Sequence, residues 1–285
     1  MIAPQVWING VSQPADGPHL SVRDRGVTLA DGLFETMRTR NGRVFRLAHH
    51  LARLTAGLAA LDFPLPPGLE RQVLDAVGAA GTGDASIRLT VTRGVGPAGL
   101  APPVDTRPTV IVAVVPMPAF PDALYGDGLT AHVASGRRNQ HSMTAGLKTV
   151  AYTDSVAALL EARRAGADEA ILLDTDGHCS EASASNLFAL IDGALVTPPL
   201  SCGALPGVTR AVVFELADRL GISSTERVLE LEQLCQAGEA FLTSSIRGIA
   251  PLVRVGSRVV GPGVPGDVTR TLIDRHAALI RDECR

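Results

Sequence analysis

The pattern of hydrophobic and polar positions in the first third of the chain predicts strands followed by helices. Alternating positions predict strands at QVWING and PHLSV, and the Asn-Gly pair inside GLFETMRTRNGRVFRL predicts a hairpin. In HHLARLTAGLAAL, leucines recur every three or four residues and predict a helix with one apolar face. The other predicted elements of this α+β unit are a short helix near 69–80 and strands at 86–93 and 108–116.

Three prolines in PMPAFPDA then interrupt the pattern, which predicts an interdomain linker at residues 117–123. The chain is thus divided into a small N-terminal domain, 1–116, and a larger C-terminal domain, 124–285, which we expect to be mixed and mostly antiparallel. Its predicted elements are a strand near 129–134, a helix near 152–165, a meander (EAILLDTDG, NLFALIDG, ALVTPPL), a helix VTRAVVFELADRL that stops before Gly221, a strand EAFLTSS, a hairpin VRVGSRVVG and a closing helix DVTRTLIDRHAALI.

Composition and charge restrict the possible partners. Of the 285 residues 46% are hydrophobic and 19% charged, and the formal net charge of -3 offers no basic field for nucleic acid. The longest apolar run, VIVAVV, is too short to cross a membrane, and the N-terminus shows no secretory signal pattern. Four scattered cysteines form no C-x-x-C pair, so we expect no metal site and a cytoplasmic location. The expected partner is a small molecule or a second copy of the chain.

Lys148 is the only lysine among 26 basic residues, and the other 25 are arginines. Arginine replaces lysine wherever a positive charge is enough, but it stays protonated and cannot serve as an amine nucleophile. Lys148 is therefore a candidate for covalent chemistry. A biased base composition that left one lysine by chance explains the count equally well.

A lysine that forms a Schiff base suggests pyridoxal phosphate, which also needs a phosphate site, an acidic partner for its ring nitrogen and walls around the ring. The helix that begins at GVTR offers backbone N–H groups and the Thr209 hydroxyl to a phosphate. The polar run Thr243-Ser244-Ser245 ends a predicted strand and is a candidate for the other side of the same phosphate site. Glu181 is a candidate for the ring nitrogen, and Arg53 for the phosphate. Taken singly, these residues are as well explained by an ordinary helix cap, a strand end, a surface glutamate and a solvated helix face.

The whole set of motifs resembles the class IV aminotransferases, a family of fold type IV pyridoxal phosphate enzymes related to D-amino-acid and branched-chain aminotransferases. The resemblance runs through DRGVTLADGLFETMR, HHLARL, AGLKTVAY, GADEAILLDTDGHCSEASASNLF, TPPLSCGALPGVTR and FLTSSIRGIAPL in the same order and spacing. It implies a two-domain fold of mixed α/β and α+β content, and a homodimer in which a loop from the neighbouring subunit contributes to the active site.

The resemblance also assigns roles to individual residues. It implies that Lys148 forms the Schiff base, that Glu181 meets the pyridine nitrogen and that Leu205 packs on the ring. It implies phosphate contacts from five further residues: Arg53, Val208, Thr209, Ser245 and Ile246.

Within this family the sequence most resembles aminodeoxychorismate lyase, which forms 4-aminobenzoate and pyruvate. Thr36 in GLFETMR stands where the lyases carry a threonine facing the substrate, and RNQHSMTAGLK and SSIRGIAPL resemble lyase segments. Ala98 and Leu100 replace the arginine and histidine that bind the substrate carboxylate in D-amino-acid transaminases. Ala151, however, replaces an asparagine that is frequent in both the lyases and the D-amino-acid transaminases.

Arg93, Arg138 and Arg247 are the candidates for binding substrate carboxylates, and structural pairing with acidic neighbours is the alternative for each of them. The alternative function is a transaminase acting on branched-chain L-amino acids, D-amino acids or (R)-amines with a 2-oxo acid. A non-catalytic cofactor-binding protein is disfavoured because the lysine, glutamate and phosphate residues occur together. Hydrolases are disfavoured because the histidines lack metal-ligand spacing and no G-x-S-x-G elbow occurs.

Overall fold

The computed structural model describes residues 2–14, 16 and 19–285 and forms two compact units. Unit 1 comprises Met1–Pro118, Leu147–Ala151 and Ile280–Arg285, and unit 2 comprises Ala119–Gly146 and Tyr152–Leu279. The sequence-based ranges follow chain order, whereas unit 1 also takes in the segment with Lys148 and the C-terminal residues. A short helix starts at Asp122, inside the range assigned to the linker.

Unit 1 is built on an antiparallel sheet that has six strands in the described part of the chain, in the order β2-β1-β6-β5-β3-β4. Its elements are β1 (Gln5–Ile8), β2 (Val11–Gln13), α1 (Arg25–Leu29), β3 (Gly32–Arg40), β4 (Arg43–Val44), α2 (Leu47–Ala60), α3 (Leu69–Ala80), β5 (Ala85–Thr92) and β6 (Thr109–Pro116).

Helices α2 and α3 pack on this sheet and enclose the core of unit 1. Leu33 and Met37 of β3 are buried against Leu54 and Leu58 of α2. Gly57 makes the close approach of α2 to β3 possible, because a Cβ atom there would lie 2.5 Å from Leu33 Cδ2. The C-terminal half of α2 is thereby held against β3.

Unit 2 contains a mixed sheet. Its elements are α4 (Asp122–Gly126), β7 (Leu129–Arg138), α5 (Thr153–Arg164), β8 (Glu169–Asp174), β9 (Cys179–Ala182), β10 (Asn186–Ile191), β11 (Ala194–Thr197), a 3-10 turn (Leu200–Cys202), α6 (Val208–Arg219), β12 (Ser224–Glu226), α7 (Leu231–Cys235), β13 (Glu239–Ser244), β14 (Gly248–Val255) and β15 (Arg258–Val259). Helix α8 (Asp267–Glu283) runs from unit 2 into the C-terminal residues of unit 1.

Within the described residues this sheet has the order β12-β11-β10-β13-β14-β7-β8-β9, with β15 paired to β14. The pairs β11–β12, β14–β7 and β7–β8 are parallel and the other five are antiparallel. The hydrophobic core of unit 2 includes Ile171, Leu187 and Leu242. The expectation of a mixed, mostly antiparallel second unit is confirmed.

Most elements predicted from the sequence are confirmed, including the hairpin at Asn41-Gly42 and the end of α6 before Gly221, which has a positive φ of 67°. The predicted strand PHLSV is wrong for residues 19–22, and Pro18 lies outside the described residues. The partner of β1 is instead β2, which follows directly after the turn at Asn9-Gly10. Of the described helices, none combines the length and apolarity that crossing a membrane requires.

Candidate active site

The main chain at Lys148 is fixed to the edge of β3. The amide of Phe34 donates to Lys148 O at 2.9 Å, and the amide of Val150 donates to Gly32 O at 2.9 Å. Leu147, the residue before Lys148, packs against the core of unit 1. These contacts hold the backbone of the lysine in place.

The Lys148 side chain lies against an aromatic ring. Lys148 Nζ is 4.5 Å from the centroid of Phe34, which is almost fully buried and also carries the Arg88 guanidinium at 3.7 Å. Because side chains alternate along a strand, Thr36 shares the face of β3 that carries Phe34. Thr36 is half-buried. Its predicted catalytic role stays a prediction.

A buried carboxylate on the other face of β3 is bound by two residues of α2. Glu35, which is 0% exposed, lies 2.7 Å from His50 Nδ1 through its Oε2 atom. Arg53 donates to the same carboxylate through Nε to Oε1 at 2.8 Å and through Nη2 to Oε2 at 2.6 Å. Arg53, the predicted phosphate ligand, is therefore no solvated helix residue, because its side chain is only 13% exposed and is held in a two-bond fork.

The charges in this cluster stabilise one protonation state. Burial alone raises the pKa of Glu35, but the hydrogen bonds from His50 and Arg53 outweigh it and lower the pKa below the usual value. Burial also lowers the pKa of His50, and the neighbouring cations Arg53 and Lys148 act in the same direction. At neutral pH the cluster is thus an ionised Glu35, a cationic Arg53 and a neutral His50 whose Nδ1–H donates to the carboxylate.

Arg93, a predicted carboxylate ligand, is bound within unit 1. Its Nε donates to Asp31 at 2.8 Å, and its two other nitrogens donate to the carbonyls of Asp62 and Leu61 at 3.1 and 2.9 Å. Its guanidinium also stacks on the Phe63 ring at 3.8 Å. These contacts correspond to the structural alternative that the sequence left open for this arginine.

In unit 2, Glu181 of β9 is held through both carboxylate oxygens. Arg138 Nη2 lies 3.0 Å from Oε1, and the amide of Leu205 donates to Oε2 at 2.9 Å. Asn186 Nδ2 donates to Leu205 O at 2.8 Å and so fixes the same peptide from its other side. Unit 2 therefore brings together three residues predicted from the sequence, Glu181, Leu205 and Arg138. Arg138 was a candidate for binding a substrate carboxylate, but here it pairs with the carboxylate of Glu181.

The start of α6 is arranged to receive an anion. No side chain caps this end, so the positive end of the helix dipole and the amides of Val208 and Thr209 are not neutralised by a capping oxygen. At Gly207, the residue before the helix, a Cβ atom would lie 2.0 Å from Asn186 Oδ1. The close fit of Gly207 against Asn186 sets the path of the chain into the helix.

Ser245 and Ile246 lie in the turn between β13 and β14, and both are half-buried. The next residue, Arg247, donates to Glu169 Oε2 at 3.1 Å, so this predicted carboxylate ligand is also paired with an acid. Two buried hydroxyl oxygens of unit 2, Ser180 Oγ and Thr243 Oγ1, make no hydrogen bond within the described structure.

One cluster in unit 2 resembles a metal site. Ligand atoms of Asp174, His178 and Cys202 lie within 4.8 Å of one another. Asp174 Oδ1, however, accepts the amides of Asp176 and His178, and burial raises the pKa of Cys202 to about 11. The Asp174 carboxylate thus already closes a hydrogen-bonded turn, and a metal ion would have to displace the proton of the Cys202 thiol. The absence of a metal stays a prediction.

Comparison with known proteins identifies the family. The sequence profile described as amino-transferase class IV matches residues 32–255, which include Lys148, Glu181 and the start of α6. The chain belongs to the class IV aminotransferases, and it is an enzyme with the fold of the type IV pyridoxal phosphate proteins.

Its relatives cover almost the whole chain. The branched-chain-amino-acid aminotransferase of Salmonella typhimurium is 32% identical over 99% of this chain and 94% of its own. The crystal structure of the Escherichia coli branched-chain amino acid aminotransferase has a TM-score of 0.92 at 30% identity, covering 97% of this chain and 94% of its own. The 4-amino-4-deoxychorismate lyase from Pseudomonas aeruginosa has a TM-score of 0.85 at 35% identity, covering 95% and 97%.

Pyridoxal 5′-phosphate is the cofactor of this family, and a similar branched-chain aminotransferase was crystallised with pyridoxamine 5′-phosphate. The residues of this chain fit such a group. The uncapped start of α6 suits a phosphate, the Lys148 amine suits covalent attachment, and Glu181 is a fixed carboxylate acceptor.

Sequence reasoning missed Phe34, Glu35 and His50. One signal was available for Glu35, because it stands between Leu33 and Met37 on the buried face of a predicted strand. A carboxylate at such a position requires a buried partner. The partner residues on α2 could not be identified from spacing alone, since they approach β3 only after α2 packs on the sheet.

Proposed function

We propose that this enzyme is an aminotransferase that acts on an amino acid with an apolar, branched side chain and passes the amino group to a 2-oxo acid. The observation that carries the proposal is the pairing of the three candidate arginines. Arg93 is bound to Asp31, Arg138 to Glu181 and Arg247 to Glu169. A substrate with two carboxylates needs cations that are not already neutralised, so these pairs favour a less charged substrate.

The relatives of this chain support the same choice. When bound, pyridoxal phosphate supplies the electron sink that makes proton removal from the amine-bearing carbon feasible. Lys148 supplies the amine that accepts and returns this proton. The branched-chain aminotransferases to which this chain is similar are named for branched-chain substrates.

A second candidate is 4-amino-4-deoxychorismate lyase activity, which the sequence motifs favoured. It is supported by the 35% identity with the Pseudomonas aeruginosa lyase and by Thr36, which shares a strand face with Phe34 beside Lys148. The two reactions begin with the same proton transfer. They differ in what leaves the substrate, because the lyase releases pyruvate and an aromatic amine whereas the aminotransferase exchanges the amino group.

One pair of assays on the purified holoenzyme separates the candidates. The first follows amino transfer from L-leucine, L-isoleucine and L-valine to pyruvate, a 2-oxo acid with a single carboxylate, beside D-amino acids and (R)-amines. The second follows 4-aminobenzoate and pyruvate formed from aminodeoxychorismate. We expect turnover in the first assay and none in the second. Rapid 4-aminobenzoate formation with slow amino transfer would overturn the proposal in favour of the lyase, and Lys148→Arg is the inactive control for both.

We also infer that the enzyme is a homodimer. Val22, Leu100 and Val104 of unit 1 are each more than 80% exposed, and Arg25 ties their segments together by donating to the carbonyls of Gly99 and Leu100 at 3.0 and 2.8 Å. Exposed apolar side chains on a fixed loop are typical of a protein interface. Sedimentation analysis should give twice the mass of one chain, and Leu100→Asp should shift it toward the monomer.

A cytoplasmic location is part of the proposal. All four cysteines, Cys179, Cys202, Cys235 and Cys284, are free thiols and buried. Unpaired cysteines are usual in a reducing compartment. Cell fractionation with an antibody to the protein tests this location.

A further inference from the structure

The cluster of Glu35, His50 and Arg53 does more than fill the space between β3 and α2. Ionised carboxylates are rarely buried, because removal from water is costly unless several strong hydrogen bonds replace the solvent. Glu35 receives three such bonds, all between 2.6 and 2.8 Å. Apolar side chains at position 35 would avoid the free-energy cost of burying a charge. The buried carboxylate therefore indicates that one of the groups bound to Glu35 must be held in a defined orientation.

That group is the guanidinium of Arg53. A free arginine side chain samples many rotamers, and binding an anion then costs conformational entropy. The fork formed by Glu35 with Nε and Nη2 fixes the plane of the guanidinium. His50 lies one turn earlier on α2 and donates to the carboxylate from another direction, so the carboxylate itself cannot rotate.

We propose that Glu35 is a positioning residue for cofactor binding: it holds Arg53 in the orientation in which the guanidinium binds the phosphate of pyridoxal phosphate. This proposal rests on the phosphate role assigned to Arg53. It does not depend on whether the enzyme is an aminotransferase or a lyase, because both use the same cofactor.

The same strand also anchors the lysine. The amide of Phe34, the residue directly before Glu35, donates a hydrogen bond to Lys148 O. Strand β3 thus carries, at neighbouring positions, the attachment point of the Lys148 backbone and the carboxylate that orients Arg53. One strand therefore positions both the backbone of Lys148 and the carboxylate that binds Arg53.

The test compares two forms of the cofactor with the Glu35→Gln apoenzyme. Pyridoxal 5′-phosphate has the phosphate and pyridoxal lacks it, and binding of each is followed by its absorbance change on reaction with Lys148. We expect the Kd for pyridoxal phosphate to rise about tenfold or more, because a charge-assisted fork is lost. The Kd for pyridoxal should stay within about twofold of the wild-type value. Equal weakening of both ligands, or of neither, would overturn the proposal.

Further variants keep the test decisive. Glu35→Asp keeps the charge but withdraws the carboxylate, and it takes the place of Glu35→Gln if that variant does not fold. Arg53→Lys should show the same selective loss, and adding Glu35→Gln to it should change little further, since both act through one contact. If Arg53→Lys leaves the ratio of the two Kd values unchanged, the phosphate role of Arg53 fails. Additive losses in the double variant would show that Glu35 acts independently of Arg53.

Discussion

Arg138 and Glu181 form an ion pair of 3.0 Å, and the amide of Leu205 occupies the second oxygen of the same carboxylate at 2.9 Å. The arginine was a candidate for substrate binding, but this geometry makes it a support for the predicted ring-nitrogen partner. We expect Arg138→Gln to weaken cofactor binding, because Glu181 loses a contact that fixes its carboxylate.

The measurement is the Kd for pyridoxal phosphate beside the Michaelis constant for the amino donor. Arg137→Gln is the matched control, since that neighbouring arginine donates only to nearby carbonyls such as Ala134 O and Ser135 O. A raised Michaelis constant with unchanged cofactor affinity would return Arg138 to the substrate site.

Replacement of the only lysine should remove both attachment and proton transfer. We expect Lys148→Ala to lose the absorbance band of the bound cofactor and to lower turnover by at least about 10²–10⁴-fold, the usual contribution of a catalytic base. Borohydride reduction of the wild-type holoenzyme followed by peptide mapping should label Lys148 alone. A label elsewhere, or turnover that survives the substitution, would contradict the covalent role.

Gly207→Ala tests the entry into α6. The new Cβ would lie 2.0 Å from Asn186 Oδ1, so Asn186 must move and its bond to Leu205 O is strained. We expect a loss of about 1–3 kcal/mol in the free energy of unfolding and weaker binding of pyridoxal phosphate. Gly78→Ala inside α3 meets no atom within 4 Å and should stabilise the protein by about 0.5–1 kcal/mol. Similar effects of both substitutions would refute the steric argument.

The pairing of Asp31 predicts a dependence of stability on pH. Burial raises the pKa of Asp31, but its bonds to Arg93 and Arg25 prevail and lower the pKa. A lowered pKa means that the contribution to stability is complete above the unfolded value of about 3.9 and is lost as the pH falls through the folded value.

We expect Asp31→Asn to reduce the free energy of unfolding at pH 7 by on the order of 2 kcal/mol, because two partly buried arginines lose their partner. The difference from the wild type should shrink in urea titrations below pH 4. Asp75→Asn is the control, since the partner of Asp75, Arg71, is exposed and such pairs contribute about 0–1 kcal/mol. A difference that persists at acid pH would disprove the linkage.

Thr36→Val distinguishes proton donation from packing. Valine has nearly the shape of threonine without its hydroxyl. If the hydroxyl takes part in proton transfer, turnover should fall by about 10²-fold or more with little change in stability. Equal turnover would leave Thr36 as a wall of the site.

The sequence identified the long elements and several site residues for clear physical reasons. The leucine spacing of α2 and the glycine after α6 act over short distances, so they can be read locally. The five-residue helices α1, α4 and α7 were missed because so short a segment shows no helical period. The strand predicted at PHLSV had suitable residues, but the Asn9-Gly10 turn allowed β1 to pair with the nearer segment.

The contacts of the site residues were harder to predict. Lys148 was identified by its uniqueness, which needs no knowledge of its neighbours. Arg53 and Arg138 were identified as candidate anion ligands, but their partners Glu35 and Glu181 lie 18 and 43 positions away in the sequence. Such pairs depend on how helices and strands pack, which local pattern does not encode.

The short stretch around Lys148 also covers the edge of a β-sheet. Without residues 148–150 the first residues of β3 would form an open sheet edge, and open edges can recruit strands of other molecules and start aggregation. Residues 148–150 occupy that edge through two backbone hydrogen bonds. The segment that carries the reactive amine therefore also protects the sheet against misassembly, so that substitutions which loosen it are expected to reduce solubility together with activity.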